Sequence, residues 1–189
     1  MKFICLFSVC IFLYACPFES PVPLDEIPLQ PIDTSLIGYW YGIIKDGSDF
    51  FGIEALDIRR RSDSTYNITR YGKSIKGNMI MPDTAYFTGY ISRVGEQLYM
   101  NIETHIVEIT PKKKKEPEIK TSGIYYLATI GLNHDTLTVK MITENFAGIN
   151  PRIPNPSALR QTILSQLAKN AIIFDDEYKL SYRKTERPF

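Results

Sequence analysis

Short runs of alternating apolar and polar residues, broken by turn residues, dominate the chain from residue 38 to residue 143. Alternation with a period of two predicts β-strands that turn one face toward a core. In the clearest hairpin, the turn Asn133-His134-Asp135 leads into a run that alternates Leu137, Val139 and Met141 with polar residues. Residues 72–82 contain glycine and break the pattern, so a loop with an irregular strand is predicted there. The predicted strands are 38–44, 51–60, 65–71, 84–94, 97–107, 122–132, 136–143 and 172–184.

One segment near the end has helical periodicity. Asn155-Pro156 is typical of a helix start, because asparagine caps the first turn and proline suits its first position. Leu159, Ile163 and Leu167 then recur every fourth residue, which predicts a helix over 157–169 with one apolar face. The order predicts a mainly β protein of about eight antiparallel strands, with one helix before the last strand.

Trp40 is the single tryptophan of the chain and lies at the start of the first predicted strand. The stretch Gly38-Tyr39-Trp40 resembles the Gly-x-Trp motif of the lipocalin and calycin group. The resemblance implies a lipocalin-like barrel over residues 34–189, in which the tryptophan plugs one end and an arginine near the last strand packs on it. Arg183 and Arg187 are the candidates for that arginine, with Arg183 inside the last predicted strand.

The first fifteen residues have the pattern of a signal peptide. Met1-Lys2 is a basic start, and the stretch from Phe3 to Ala15 is uncharged and mostly apolar. This stretch is too short to span a bilayer as a mature helix. It ends in Leu13-Tyr14-Ala15-Cys16, which resembles the bacterial lipobox. The resemblance implies cleavage between Ala15 and Cys16 and attachment of acyl chains, such as palmitate, to Cys16.

The cysteine distribution favours lipidation over an ordinary secretory signal, which is the alternative for this leader. The three cysteines are Cys5, Cys10 and Cys16, so the chain beyond residue 16 has none. A disulfide scaffold would need partners for Cys16. Several acyl chains would anchor the protein almost permanently in a membrane. Pro17, rather than aspartate, follows Cys16, which under the enteric sorting rule favours the outer membrane of a Gram-negative bacterium.

Residues 16–33 follow the leader and include prolines at positions 17, 21, 23, 28 and 31. Such a segment cannot form a helix or a central strand. Proline-rich segments are extended, semi-rigid spacers. The sequence therefore predicts a tether that separates a lipidated cysteine from the barrel domain.

Catalytic and metal-binding patterns are absent from the sequence. His105 and His134 are the two histidines, and neither has a second histidine or a cysteine at ligand spacing. Glu103 and His105 share a strand face, which could form an acid–base pair, but alternate exposed residues on a strand look the same. We therefore predict no catalytic residues, no metal and no cofactor, and the chain is not predicted to be an enzyme.

The charge pattern does not indicate nucleic acid as a partner. The formal net charge is +1, so no overall field attracts a polyanion. Arg59-Arg60-Arg61 would point to alternate faces of a strand. Lys112-Lys113-Lys114-Lys115 could contact anionic lipid, but Glu116 and Glu118 partly cancel its charge, which favours a solvated hairpin tip.

Two functions fit these predictions. In the first, a lipid-anchored barrel binds a small apolar or amphipathic ligand, for which its many tyrosines are suited. In the second, the barrel is filled by its own side chains and serves as a structural or interaction subunit of an envelope complex. An eight-stranded barrel is compatible with both, because its interior can be filled or can hold one small ligand.

Overall fold

The computed structural model describes residues 17–46, 50–76, 79–110, 116, 118–143, 146 and 153–186. Within this part of the chain the regular elements are nine strands, one α-helix and one turn of 3-10 helix. The strands are β1 (Glu19–Ser20), β2 (Gly38–Asp46), β3 (Phe50–Arg60), β4 (Tyr66–Lys76), β5 (Met79–Val94), β6 (Gln97–Thr110), β7 (Glu118–Asn133), β8 (Thr136–Ile142) and β9 (Phe174–Thr185). The 3-10 helix is Thr34–Leu36, and helix α1 is Pro156–Ala168.

Strands β2 to β9 close into an antiparallel barrel. Each of these strands pairs with the next one along the chain, and β9 returns to pair with β2 through Tyr39–Tyr41. Helix α1 lies before the last strand, and its Asn155 side chain accepts the N–H of Ala158 as the predicted cap. The predicted eight-stranded antiparallel barrel is therefore confirmed, and the architecture is compatible with a lipocalin-like barrel.

The two ends of the barrel differ. Because antiparallel strands alternate in direction, the β3–β4, β5–β6 and β7–β8 turns share one end, here called the closed end. The β2–β3, β4–β5 and β6–β7 turns share the other, here called the open end. There the hairpins separate: the β5–β6 ladder stops at Thr88 and Glu103, although β5 begins at Met79 and β6 reaches Thr110.

Residues 72–82 differ from the predicted loop. β4 and β5 pair without interruption from Tyr66–Gly89 to Lys76–Met79. Pro82 interrupts the sequence pattern, but it lies where β5 has left β6 and pairs with β4 alone. A strand edge tolerates a residue that lacks an N–H, so cross-strand pairing overrides the weak local preference of this segment.

Two hydrophobic clusters stabilise the fold. The first is inside the barrel and includes Trp40, Ile58, Tyr66, Met100 and Tyr182. The second lies on the outer face of the barrel wall, where helix α1 packs through its buried residues Leu159 and Ile163. The outer cluster also contains Leu24, Val94, Tyr99 and Leu127.

Residues 17–33, here called the N-terminal strap, pack against the barrel. Leu24 is fully buried, and its N–H donates to the side-chain oxygen of Asn101 at 2.8 Å. The Tyr90 hydroxyl donates to the Asp25 carbonyl oxygen at 2.6 Å, and Arg160 of helix α1 donates to the Leu24 carbonyl oxygen at 2.9 Å. The prolines keep the strap extended, but Leu24 enters the outer cluster, and Phe18 and Val22 pack against it. In this respect the structure differs from the predicted tether, which would stand clear of the barrel.

Candidate ligand cavity in the barrel

A cavity of about 690 Å³ occupies the barrel interior. Inward-facing residues of β3 to β9 form its wall, together with Leu36 at the closed end and Pro17 and Glu19 of the strap. Sites for small molecules typically measure roughly 300–1,000 Å³. Most of the wall is apolar and includes Leu56, Ile68, Phe87, Ile102, Met141 and Leu180.

A polar cluster interrupts this apolar wall around Arg70. Its Nη2 donates to Oδ2 of Asp83 at 2.7 Å, and its Nη1 lies 3.4 Å from Oε2 of Glu54. The hydroxyl of Tyr182, which lies in the last strand β9, donates to Oε1 of Glu54. Burial, followed by the nearby charge of Glu54, raises the pKa of the Tyr182 hydroxyl well above its ordinary value. That hydroxyl therefore remains a neutral hydrogen-bond donor at physiological pH.

Arg70 retains one donor without a protein acceptor. Its Nε is buried and has no hydrogen-bond partner among the described residues. A buried donor that is left unpaired costs about 1–3 kcal/mol. Arg70 as a residue lines the cavity, so its guanidinium places a positive charge in the otherwise apolar wall.

The strap completes the cavity wall where β8 ends. β8 leaves β7 at the pair Ala128–Met141, and β1 pairs with the adjoining residues Tyr126 and Tyr125. The Tyr126 hydroxyl donates to Oε1 of Glu19 at 2.9 Å. Pro17 forms a bridge with Thr143, directly after the last residue of β8. The chain therefore enters the barrel at the rim of the cavity.

We expect stability to fall in alkaline solution because of the buried tyrosines. Burial, followed by the hydrogen bond to Glu19, raises the pKa of Tyr126 to about 12, from the value of about 10 in an unfolded chain. The stabilisation from the neutral hydroxyl is complete below pH 10 and is lost as the pH rises toward 12. Denaturant midpoints measured between pH 8 and pH 12 should decline above pH 10, less steeply in Tyr126→Phe. A wild-type midpoint that stays constant to pH 12 would contradict this.

The closed end is blocked by Trp40. Its side chain is fully buried, and its Nε1 donates to the carbonyl oxygen of Leu36 in the 3-10 helix at 2.9 Å. The Lys184 ammonium lies 5.0 Å from the ring centroid and donates to the Ser35 carbonyl oxygen. A cation over a tryptophan face is attracted by the ring quadrupole.

The cation over Trp40 is Lys184, so the placement of Arg183 at the plug is wrong. Strand register explains the difference: Trp40 pairs with Lys184, and Tyr41 pairs with Arg183. Paired residues of an antiparallel ladder point to the same face. Arg183 therefore shares the outer face with Tyr41 and is exposed. The other candidate, Arg187, lies outside the described residues.

Two glycines of β2 permit close packing near the plug. Gly38 has a φ of +137°, which disfavours other residues, and an added Cβ would lie 3.0 Å from Cε of Lys184. At Gly42 an added Cβ would lie 2.6 Å from the Ser181 carbonyl oxygen and 3.0 Å from the Tyr182 ring. Gly42 thus makes room for Tyr182, and Gly38 makes room for the stem of Lys184.

The two histidines lie in different elements, His105 in β6 and His134 in the β7–β8 turn. His105 is exposed, and the nearby Glu103 side chain accepts the Tyr125 hydroxyl at 3.4 Å. His134 lies in the exposed β7–β8 turn, where its Nδ1 is 2.7 Å from the Asn133 side chain. Across the described ranges, no three histidine, cysteine or acidic side chains form a group that could hold a metal ion.

The three consecutive arginines have separate partners. Arg59 pairs with Asp57, Arg60 with Asp63, and the Arg61 side chain donates to the Thr88 hydroxyl. They do not form one basic patch. The predicted lipidation site, Ala15 and Cys16, and the lysine run 112–115 lie outside the described residues.

Sequence reasoning missed Arg70, Glu54 and the strap. A signal was present, because Glu54 and Arg70 stand two residues from Leu56 and Ile68 on alternating strands. A charge at an inward position of a strand marks a polar site in a core. The burial of Leu24 had no comparable signal, because its partners Asn101 and Arg160 are distant in the chain.

Comparisons with known proteins identify no relative. The chain matches no protein-family model, and searches of curated proteins and of solved structures gave no match. In the described part of the chain, no helix is long and apolar enough to cross a bilayer.

Proposed function

We propose that this protein is a lipid-anchored lipoprotein of the cell envelope whose barrel binds one small apolar or amphipathic molecule. The observation that carries the proposal is the apolar cavity of about 690 Å³ inside the barrel. Its size is that of a small-molecule site, and its walls come from rigid strands. The proposal assigns the protein to binding or carriage, with no chemical step and no cofactor.

The polar cluster favours an amphipathic ligand over a purely apolar one. Arg70, Tyr126 and Tyr182 line the same interior space and bring one guanidinium and two phenol side chains to it. A ligand with an oxygen acceptor at one end could satisfy Arg70, while its apolar part would lie against residues such as Ile102 and Leu180. An interior filled by its own side chains, as in a purely structural barrel subunit, would leave no space of this size. The cavity therefore favours the binding protein over that alternative.

Filling the cavity should weaken binding without changing the outer surface. Ala85 lines the cavity, whereas its neighbour Tyr86 is 73% exposed on the outer face of β5. Ala85→Trp should weaken binding of the neutral dye N-phenyl-1-naphthylamine by about tenfold or more. A loss of roughly 1.4 kcal/mol of binding free energy is enough for a tenfold higher Kd. The measurement is a fluorescence titration of each purified variant.

Tyr86→Trp is the matched control, because it adds an indole one residue away on the opposite face. It should bind the dye like the wild type. Equal affinity of both variants would place the dye outside the barrel and contradict the proposed site. Native mass spectrometry of the wild-type protein would then identify any co-purifying molecule.

The proposed anchor is tested at Cys16. Cys16→Ser should prevent acylation, because serine lacks the thiol that takes the diacylglyceryl group. Intact-mass measurement should show loss of the lipid, and the amount of protein in the outer-membrane fraction should fall. Cys10→Ser is the control, since it removes a thiol within the leader and should leave acylation intact. An unchanged lipid mass in Cys16→Ser would show that the anchor lies elsewhere.

A further inference from the structure

Two exposed apolar patches flank the open end of the barrel. Ile43 and Ile53 are cross-strand partners near the β2–β3 turn and are 70% and 60% exposed. Val107 and Ile119 lie near the β6–β7 turn and are 55% and 64% exposed. Each of the four lies within four residues of its hairpin turn. Together they are here called the apolar collar.

The two halves of the collar lie on opposite sides of the barrel. In the closed ring, β2 and β3 are separated from β6 and β7 by two strands on either side. A small protein docking on one flank of the barrel would cover one half and leave the other in water. A flat apolar layer that meets the open end can contact both halves at once.

The closed end has turns made of polar, charged and glycine residues. Its turns read Arg61-Ser62-Asp63-Ser64, Gly95-Glu96 and His134-Asp135, and all are exposed except Ser64, which is partly buried. The sequence of the open-end turns also contains charged residues, among them Lys45, Asp46 and the lysine run 112–115. The four collar residues therefore distinguish the open end, because exposed apolar patches mark surfaces that contact another protein or a membrane.

The position of the N-terminus adds an independent argument. Pro17 lines the cavity and bridges Thr143 at the rim, where β8 ends. The described part of the chain therefore begins at that rim, and the proposed lipidation site Cys16 directly precedes Pro17 in the sequence. The apolar segment from Phe3 to Ala15 precedes it in the chain. Either a lipid on Cys16 or this segment would hold the rim near a membrane.

We propose that the open end of the barrel docks on a lipid bilayer, with the apolar collar in the interface and the cavity facing the membrane. This inference rests on the proposed envelope location and deepens the proposed function, because it identifies the ligand as a lipid-like amphiphile drawn from the bilayer. The apolar part of such a molecule would enter between the separated hairpins. Its polar end would meet the cluster around Arg70.

The docking is tested with tryptophan reporters in the full chain, reconstituted into vesicles of phosphatidylethanolamine and phosphatidylglycerol with brominated acyl chains. Bromine quenches only indole that lies in the bilayer, and wild-type Trp40 gives the baseline because it is buried at the closed end. Ile43→Trp and Val107→Trp report the two halves of the collar. Glu96→Trp and His134→Trp are the matched controls, because both positions lie in exposed turns of the closed end.

Both collar reporters should lose about half or more of their added fluorescence, as expected for side chains about 5–10 Å into the interface. The closed-end reporters should keep theirs. Quenching of one collar reporter alone would indicate docking on one flank and overturn the proposal. Quenching at the closed end, or at none of the four sites, would also overturn it. A dimer that shields both collar reporters from the bromine would show that the collar meets a second copy of the chain.

The same samples separate this inference from the proposed function. Dye binding by the reporter variants is measured in detergent, where no bilayer constrains the orientation. Unquenched collar reporters with intact dye binding would reject the docking and retain the binding function. Quenched reporters without dye binding would reject the binding function and retain the docking.

Discussion

Trp40→Ala is expected to lower the free energy of unfolding by about 3–5 kcal/mol, the usual range for removing a large buried aromatic side chain. Trp40 is fully buried, donates to the Leu36 carbonyl oxygen and lies under Lys184. Its loss would remove all three contacts and open the closed end of the barrel. Such a change is a large part of the stability of a typical domain. Denaturant unfolding followed by far-ultraviolet circular dichroism measures it.

Two comparisons make the Trp40 result specific. Tyr86→Ala removes an aromatic residue that is 73% exposed, and it should change the free energy of unfolding by no more than about 0.5 kcal/mol. In the wild type, Trp40 is the sole tryptophan, so its emission should be blue-shifted and resistant to acrylamide. Emission like that of free tryptophan, with easy quenching, would place the ring in water and contradict the plug.

Leu24→Ala is expected to destabilise the protein by about 2–5 kcal/mol, although it lies in a segment whose composition is that of a spacer. Leu24 is fully buried in the outer cluster, and the backbone on both sides of it is held by Asn101, Tyr90 and Arg160. For a domain of this size, each kcal/mol shifts the melting temperature by roughly 2–4 °C. Thermal unfolding should therefore begin at a clearly lower temperature.

Leu29→Ala is the matched control for Leu24, because it makes the same change five residues later in the same strap. Leu29 is 74% exposed, so its truncation should leave the melting temperature nearly unchanged. If Leu24→Ala and Leu29→Ala have the same melting temperature as the wild type, the strap does not contribute to the stability of the fold. The structure predicts that Leu24→Ala melts at a clearly lower temperature than Leu29→Ala.

The strap also connects the fold to the proposed anchor. A free spacer would let the barrel rotate relative to a membrane, so the orientation of the cavity would be undefined. A strap that packs on the wall and starts at the rim would fix where the proposed lipid is attached. The proposed docking of the open end depends on this fixed starting point.

Local patterns were sufficient for most strands and for the helix. Leu137, Val139 and Met141 alternate with polar residues because an antiparallel strand turns every second side chain to the core, and β8 forms there. Asn155 and Pro156 begin helix α1 because capping and a fixed φ are local effects. The prediction failed at residues 72–82, where pairing with a neighbouring strand compensates for weak local preference.

The candidate site depended on register, which the sequence specifies only weakly. Alternation places Lys184 and Arg183 on opposite faces, but the pairing of β2 with β9 decides which of them meets Trp40. A shift by one residue would exchange the two. The resemblance to lipocalins implied an arginine packed on Trp40, and the observed register places Lys184 over the Trp40 ring instead.

The sequence alone determined the strand order, the inward position of Trp40 and the helix before the last strand, because these follow from periodicity and turn residues close together in the chain. Only the tertiary structure decided that the barrel encloses a cavity, that Arg70 and Glu54 meet inside it, and that the N-terminal strap belongs to the fold. These features depend on contacts between residues far apart in the chain. The volume left inside a barrel also depends on how all of its strands are tilted and paired, and no single segment of the sequence carries that information.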